Sequence, residues 1–499
     1  MRAPPWARSL CGPDRLSART RHTSCFALGV RTETRADVTI VGGGLAGLSC
    51  AVALGDAGLR VFVLEASDCL GGRARSWTHA PSGDVVDIGP HVVHSEYRNF
   101  LGLLDRLGTR EAIAWQPRKL ITLLTERGPR SLCHRALPPP LSLLPDMLRI
   151  ADFGWRDAFS NLRPSWRALR FDEAQGPVLD AMSGLDFLRG CGTSERMIDW
   201  FWRFAAMVVM NVPLERCSAA ALLRVHSQLI GHRGLHFGFP RVGLSALYVP
   251  QATRAIAAAG GTVRLNTRVA RLDRAEGGHR IVLDGGEELL SPYAVLAVPP
   301  AELGRVLRDG VNTRAFEPSP YKSVYLWFDR PLAVERFWAL LWSPERLNYD
   351  FYDLTRIRPE LAGRPALIAS NIIYSHRAAC FSDEEIVRRT CAEIALFAPQ
   401  AMHARVLHAD VHDIPMAIPC PLPGTESKRP PTRCGTPRLF LAGDWTRTQL
   451  PCSMESAVRS GLLAAEAVLE DLGRPQRLAA APRPNDGLAG WVAPRARRA

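Results

Sequence analysis

Lysine is almost absent from this chain: of 62 basic residues in 499, only Lys119, Lys322 and Lys428 are lysines. The formal charge of +13 is therefore an arginine charge, and it is unevenly spread. Residues 1–35 hold seven Arg against Asp14 and Glu33, and residues 474–499 hold six Arg against Asp486, so each end carries +5. The 438 residues between them carry +3. That is no footprint for a phosphate backbone, and nucleic acid is not an expected partner. Also missing is any C-x-x-C pair among the twelve cysteines, which are read as free thiols of a reducing compartment. His91 and His94 stand three apart, but no carboxylate or cysteine completes a site, so no metal is expected. No uninterrupted apolar run is long enough for a membrane span. The best match, residues 38–55, has no charge but is cut by Gly42, Gly43, Gly44 and Gly47, which a phosphate-binding turn requires. Internal repeats are missing too.

What is present reads as globular. Apolar residues make up 47% and charged residues 22%, which excludes a wholly disordered or fibrous chain. The length suits three domains, or one large enzyme of two interleaved domains. Residues 1–35 are Arg-rich and acid-poor. They are expected to be a disordered or targeting extension, either a transit peptide or an artefact of an early start site. The Pro-, Ala- and Arg-rich residues 474–499 are expected to be a disordered tail.

Between them, Val38-Thr39-Ile40-Val41 is a buried strand, followed by the glycine turn, a helix over 45–58 and a second strand over 60–65 ending in Glu65. This is the βαβ unit of a dinucleotide-binding fold. Residues 101–240 read as mostly helical, residues 263–298 as a small β-meander and a strand, residues 306–405 as mixed, and residues 438–472 as a strand leading into a helix. The expected fold is α/β, with a Rossmann-like domain from 36–105, 241–305 and 406–473. A mixed α+β substrate domain, 106–240 with 306–405, is inserted in it.

In Gly42-Gly43-Gly44-Leu45-Ala46-Gly47, Gly42 permits the tight turn, Gly44 lets backbone approach a pyrophosphate, and Gly47 allows close packing of helix on strand. Glu65 can accept both ribose hydroxyls of an adenosine. Gly71-Gly72-Arg73 follows, and it resembles the GG element of glutathione-reductase-type flavoproteins, which include amine oxidases and carotenoid desaturases. Leu441-Ala442-Gly443-Asp444-Trp445-Thr446, then Ser453-Met454-Glu455-Ser456-Ala457, resembles the second flavin signature of that superfamily. The resemblance implies FAD. Arg73 would approach the pyrophosphate and Asp444 the ribityl hydroxyls. The helix starting near Ser453 and Met454 would face the flavin edge that becomes negative on reduction. It also places Leu45, Ala46, Gly89, Pro90, His91 and Val269 on the cofactor.

The loop Gly89-Pro90-His91-Val92-Val93-His94-Ser95-Glu96-Tyr97-Arg98-Asn99 narrows the branch. It is similar to the loop of plant-type phytoene and ζ-carotene desaturases and hydroxysqualene dehydroxylases, although Pro90, His94 and Ser95 depart from their pattern. The resemblance, over residues 36–472, implies flavin-dependent oxidoreduction of an apolar isoprenoid: desaturation of a carotenoid precursor or a dehydroxylation on the squalene pathway. Arg241 and His91 are the candidate catalytic residues, and a quinone is the expected electron acceptor. Residues 137–150, Pro- and Leu-rich, are expected to bind a cytoplasmic membrane face peripherally; packing of the same leucines in the core is the alternative. The location would be organellar if residues 1–35 are a transit peptide. A flavin amine oxidase with a small amine substrate shares both cofactor elements, and a flavoprotein that holds FAD without turnover is a third reading.

Overall fold

The structure, a computed structural model, describes residues 36–150, 154–307 and 310–494. The expectation for residues 1–35 lies outside them. Short apolar, β-branched runs form a parallel five-stranded sheet in the order Thr262–Arg264, Val61–Leu64, Val38–Val41, Tyr293–Leu296, Leu439–Leu441. Such runs suit a sheet covered on both faces. On one face Ile40, Val63, Val295 and Phe440 pack under the helices Leu45–Asp56, Leu244–Ala258 and Met454–Asp471. On the other, Val41, Phe62, Leu64 and Leu296 meet the antiparallel meander Val269–Ala275, Gly278–Leu283 and Glu288–Ser291. The fold is α/β.

A second, seven-stranded sheet runs in the order Val406–Pro419, Pro318–Phe328, Leu367–Ile372, Asp350–Asp353, Phe337–Leu340, Lys119–Thr125, Gly128–Cys133. Side chains alternate across it. Val324, Leu326 and Phe328 pack toward the helix Asp383–Phe397, whereas Tyr325 and Trp327 face the opposite side, where Phe204 and Leu229 also lie.

Four expectations change. Residues 113–133, expected to be helical, form three strands, Ile113–Gln116, Lys119–Thr125 and Gly128–Cys133, because a short, mostly apolar run such as Leu-Ile-Thr-Leu-Leu at 120–124 is too brief to show a strand or helix period. Val406–Pro419, expected beside the nucleotide-binding elements, pairs instead with Pro318–Phe328. Residues 474–494, expected to be disordered, are held by backbone bonds. Ala480 N–H donates to Asn99 Oδ1, Leu478 and Ala479 N–H to Glu466 Oε1, and Asp486 N–H to Gly231 O. Within residues 137–150, Leu143 and Ile150 are buried and Met147 packs on the core, so only Leu137, Leu141, Leu144 and Leu148 remain exposed.

The two sheets meet at the hairpin Ser76–Thr78/Val85–Asp87. The Asp87 carboxylate accepts from Arg358 Nη2 (2.5 Å), Ser76 Oγ (2.8 Å) and Leu244 N–H (2.9 Å), and its carbonyl accepts from Tyr325 Oη (2.9 Å). Arg358 and Asp87 are both buried. Removing one partner of a buried ion pair strands the other charge, at a cost of about 3–5 kcal/mol. Arg358→Met should therefore lower the unfolding free energy by about that amount, read as a fall in the urea midpoint at constant slope. A change below ~1 kcal/mol would refute the joining role of the pair.

Candidate functional site

The glycine turn leaves the strand Val38–Val41 with Gly42 at φ +109°, a conformation closed to other residues, and Gly42 N–H donates to Leu64 O at 2.8 Å. Gly44 is the N-cap of Leu45–Asp56 and contributes no capping side chain, and Leu45, Ala46 and Gly47 form the buried first turn. Glu65 closes this turn from the next strand. Its Oε2 accepts Gly43 N–H (2.7 Å) and its Oε1 accepts Ser67 N–H (2.8 Å). Each oxygen keeps capacity for a further donor.

Gly71 and Gly72 cross the same turn. Gly71 N–H donates to Gly43 O (2.9 Å), and Gly44 bridges Gly71 in parallel. Tyr248, fully buried, fixes this crossing by donating to Gly71 O and Ala74 O, both at 3.0 Å. The short turn Gly72–Ala74 directs Arg73 to Asp444, with Nη2–Oδ1 at 2.6 Å and Nη1–Oδ2 at 3.2 Å, and to Ala417 O at 3.0 Å. Burial works against the Arg73 charge, but attraction and hydrogen bonding to Asp444 outweigh it and raise its pKa. Asp444 follows Gly443, whose N–H donates to Ser460 Oγ (2.7 Å). Ser453 caps Met454–Asp471, its Oγ accepting Ser456 N–H at 3.2 Å, and Met454 is buried. A Cβ on Gly461 would lie 2.2 Å from Ala46 O, so glycine there lets the C-terminal helix touch the first one.

The loop carrying residues 89–99 joins this assembly at both ends. Glu455 accepts Asn99 N–H (3.0 Å), Asn99 Nδ2 (2.6 Å) and Phe100 N–H (2.8 Å), capping the helix Arg98–Leu107. At the other end Gly89 sits on Asn371 and Ser323, Asn371 Nδ2 donates to Pro90 O (3.2 Å), and Ser323 Oγ donates to Ile88 O (2.7 Å). His91 Nδ1 bonds Gly89 O at 2.6 Å, and burial lowers its pKa. His94 is held neutral, its pKa pushed down to about 3 by burial and by His232, His236 and His134.

The sequence-derived residues thus fall into two groups. Gly42, Gly44, Leu45, Ala46, Gly47, Glu65, Gly72, Arg73, Gly443, Asp444, Ser453 and Met454 lie on elements tied directly to one another. Gly89, Pro90 and His91 lie on the adjoining loop. Val269 sits in the core below the parallel sheet, with Val41 and Leu64. Arg241 is exposed beyond the strand Phe237–Pro240, and only its backbone N–H, which donates to Ala112 O, is tied to a neighbour here. No group of three metal-binding side chains occurs among the described residues. Sequence reading missed Tyr248, Glu455 as a cap, Asn371 and Ser323, since each acts on a partner more than 45 residues away.

The chain matches the family described as flavin containing amine oxidoreductase over residues 45–469, and it belongs to that family. It is 26% identical over 482 residues to 15-cis-phytoene desaturase, chloroplastic/chromoplastic, of Solanum lycopersicum, covering 91% of this chain and 82% of that one. It is 26% identical over 468 residues to hydroxysqualene dehydroxylase of Sinorhizobium fredii, covering 87% and 99%. Among solved structures, cyclohexylamine oxidase of Brevibacterium oxydans superposes with a TM-score of 0.67 at 20% identity, over 88% of this chain and 100% of that one. The protein is an FAD-dependent oxidoreductase. Its residues fit the cofactor: an uncapped helix start, a carboxylate pinned beside it, and Arg73, which keeps two of its five donors beyond those given to Asp444 and Ala417.

Glu65→Ala should weaken FAD binding by roughly 1–3 kcal/mol, about five- to 160-fold in Kd. Titration of the refolded apoprotein with FAD, followed by flavin fluorescence, measures it. An unchanged Kd would remove Glu65 from the site.

Proposed function

We propose that this enzyme acts on an apolar isoprenoid, by desaturation of a carotenoid precursor or dehydroxylation of a squalene precursor, while lying peripherally on a membrane. The observation that carries this reading is an exposed stripe. Trp155, Phe159, Leu162 and Trp166, spaced four, three and four residues apart along the consecutive helices Trp155–Ser160 and Leu162–Leu169, are 68%, 60%, 59% and 51% exposed. Arg156, Arg163, Arg167 and Arg170 flank them, exposed, with Arg156 over the Trp155 ring and Arg170 over that of Trp166. Exposed tryptophans beside arginines suit the headgroup region, where rings sit at the boundary and cations meet lipid phosphates. No helix among the described residues is long and apolar enough to cross a membrane, so this stripe would lie in the interface.

At the site, Glu65 would hold the ribose hydroxyls, Arg73 the pyrophosphate, and Asp444 the ribityl chain. The start of Met454–Asp471 and residues 89–91 would border the isoalloxazine. Bound FAD supplies a hydride acceptor. Gly89, fixed on Asn371 and Ser323, would set where substrate stops along the flavin face, so alignment does much of the work. A quinone dissolved in the same membrane would return the enzyme to its oxidised form.

Two measurements test this. Mixed without oxygen with liposomes carrying 15-cis-phytoene, or, after dithionite reduction, with liposomes carrying hydroxysqualene, the holoenzyme should change flavin absorbance; putrescine and cyclohexylamine should leave it unchanged. The opposite pattern establishes an amine oxidase. In flotation with anionic liposomes, Trp155→Asp/Phe159→Asp should bind at least about tenfold more weakly than wild type with FAD retained, given ~1.5–3 kcal/mol for each buried large apolar side chain. Equal flotation would move the membrane contact elsewhere.

A further inference from the structure

Buried carboxylates in this fold are answered either by arginine or by hydrogen-bond donors on both oxygens, as Asp180 is by Ser218 and Ser427, Glu393 by Leu347 and Asn348, and Glu455 by Asn99 and Phe100. Asp87 meets Arg358, Asp84 meets Arg364, Asp146 meets Arg135, and Asp444 meets Arg73. Asp350 differs. It is 4% exposed in the strand Asp350–Asp353, and among the described residues no basic group pairs with it. Its Oδ2 accepts the Tyr352 hydroxyl at 2.7 Å, and its Oδ1 is buried with no partner among the described residues. The titratable groups facing it are phenols: Tyr352 on its own strand and Tyr321 on Pro318–Phe328, with Tyr325 beside Tyr352 and Cys420 beside Tyr321. Burial raises its pKa to about 6, against a lowering pull from Tyr352. A buried carboxyl with no cation and an idle oxygen weakens the fold, so its presence points to a use.

Its place in the sheet says which use. Phe351 pairs with Ser370 and Tyr352 with Ala369, and the same register sets Asp350 against Asn371. Asn371 pairs with Ser323, and Ser323 with His412. Asp350 therefore lies in a cross-strand row that continues on one side to Ala339 and on the other to Asn371 and Ser323, the two residues that seat Gly89 and Pro90, with Ser323 about 10 Å away at two strand spacings. The same face of the sheet carries Tyr325 and Tyr352 toward Phe204 and Leu229.

We propose that Asp350 exchanges the proton of the reaction, its Oδ1 taking the hydrogen that leaves the substrate carbon next to the one that gives up hydride. The inference rests on the isoprenoid reading above. In desaturation one C–H bond breaks toward the Asp350 carboxylate, and its electron pair becomes the C=C π bond. The neighbouring hydrogen leaves with its pair to FAD, so the substrate loses two electrons and FAD gains two. In dehydroxylation the protonated carboxyl would give its proton to the departing hydroxyl, which would leave as water, the hydride that replaces it at carbon being what bound reduced FAD would supply. The Tyr352 hydroxyl supports the carboxylate form, and the apolar surroundings support the neutral acid, so neither state requires an ion pair to break.

Asp350→Asn and Tyr352→Phe keep side-chain shape, and both holoenzymes are to be compared with wild type in two ways. The first is thermal unfolding against pH. The folded carboxyl keeps its proton up to about pH 6, whereas the unfolded chain loses it near 3.8, so wild type loses stability as pH rises through that window. Asp350→Asn should unfold at a higher temperature than wild type at pH 8, with the gap shrinking toward pH 5. The second is anaerobic flavin bleaching by 15-cis-phytoene in liposomes. Wild-type rates should rise with pH through about 6. Asp350→Asn should be slower by about 10²–10⁴-fold, with unchanged half-saturation and no such rise. Tyr352→Phe should keep the rise but move it to higher pH. A structural role alone would lower the unfolding temperature of Asp350→Asn at every pH and leave the rise in place; that result overturns the proposal, as does a rate within tenfold of wild type. If phytoene fails to bleach wild type, the isoprenoid reading fails. The pH dependence of unfolding then still reads whether the Asp350 carboxyl takes up and releases a proton near pH 6, as the proposed role requires, and a gap that does not change with pH overturns the proposal.

Discussion

Two sheets of different topology share one short hairpin in this protein, and Asp87 is the point at which both hold it. Its carboxylate binds Arg358, Ser76 and the N–H that opens Leu244–Ala258, and its carbonyl takes the Tyr325 hydroxyl from the seven-stranded sheet. Two elements of the candidate site adjoin this node in the chain. The residues following Asp87 become the loop 88–91 seated on Ser323 and Asn371, and the residues preceding the hairpin are the Gly71–Arg73 crossing. An error in the angle between the sheets would shift the loop relative to the glycine turn. The buried pair converts that angle into a hydrogen-bonding requirement.

The same logic explains how the chain spends its arginines. A guanidinium reaches several acceptors at once with fixed geometry, which suits carboxylates enclosed between layers. Arg358 also bonds Val85 O, Arg364 spans both oxygens of Asp84, and Arg429 gathers carbonyls from Asp444, Trp445 and Leu450 beside the second flavin element. Against this habit, Asp350 stands out because one of its buried oxygens has no partner among the described residues.

What the sequence disclosed follows from how local each feature is. The glycine turn, Glu65 and the Gly443-Asp444 element were legible as candidates because each is set out over a few residues. The α/β class followed from strand, turn, helix and strand in about 30 residues. Tyr248, Asn371 and Asp350 were hidden because their meaning lies in a partner strand or loop far along the chain. Leu143 and Leu144 show the same limit at the surface. They are neighbours in an apolar segment, yet one is buried and the other exposed, and only packing separates them. The aromatic stripe escaped notice because Pro164 and the break at Asn161 divide it between two short helices.

That stripe also revises the meaning of the charge. Residues 36–473 carry a net +3, and residues 154–170 alone, with four Arg and Asp157, carry +3. The other 421 residues of the body therefore sum to zero. A neutral body with its excess charge beside four exposed apolar side chains would, under the reading proposed above, be drawn to an anionic surface by that face. Attraction falls off within about 8–10 Å at physiological salt, so the charge acts only at close approach, and the rings then provide the lasting contact. Under the membrane reading proposed above, these seventeen residues would supply the body's share of the attraction without touching the glycine turn or the Arg73–Asp444 pair, so attachment and flavin chemistry could be altered independently.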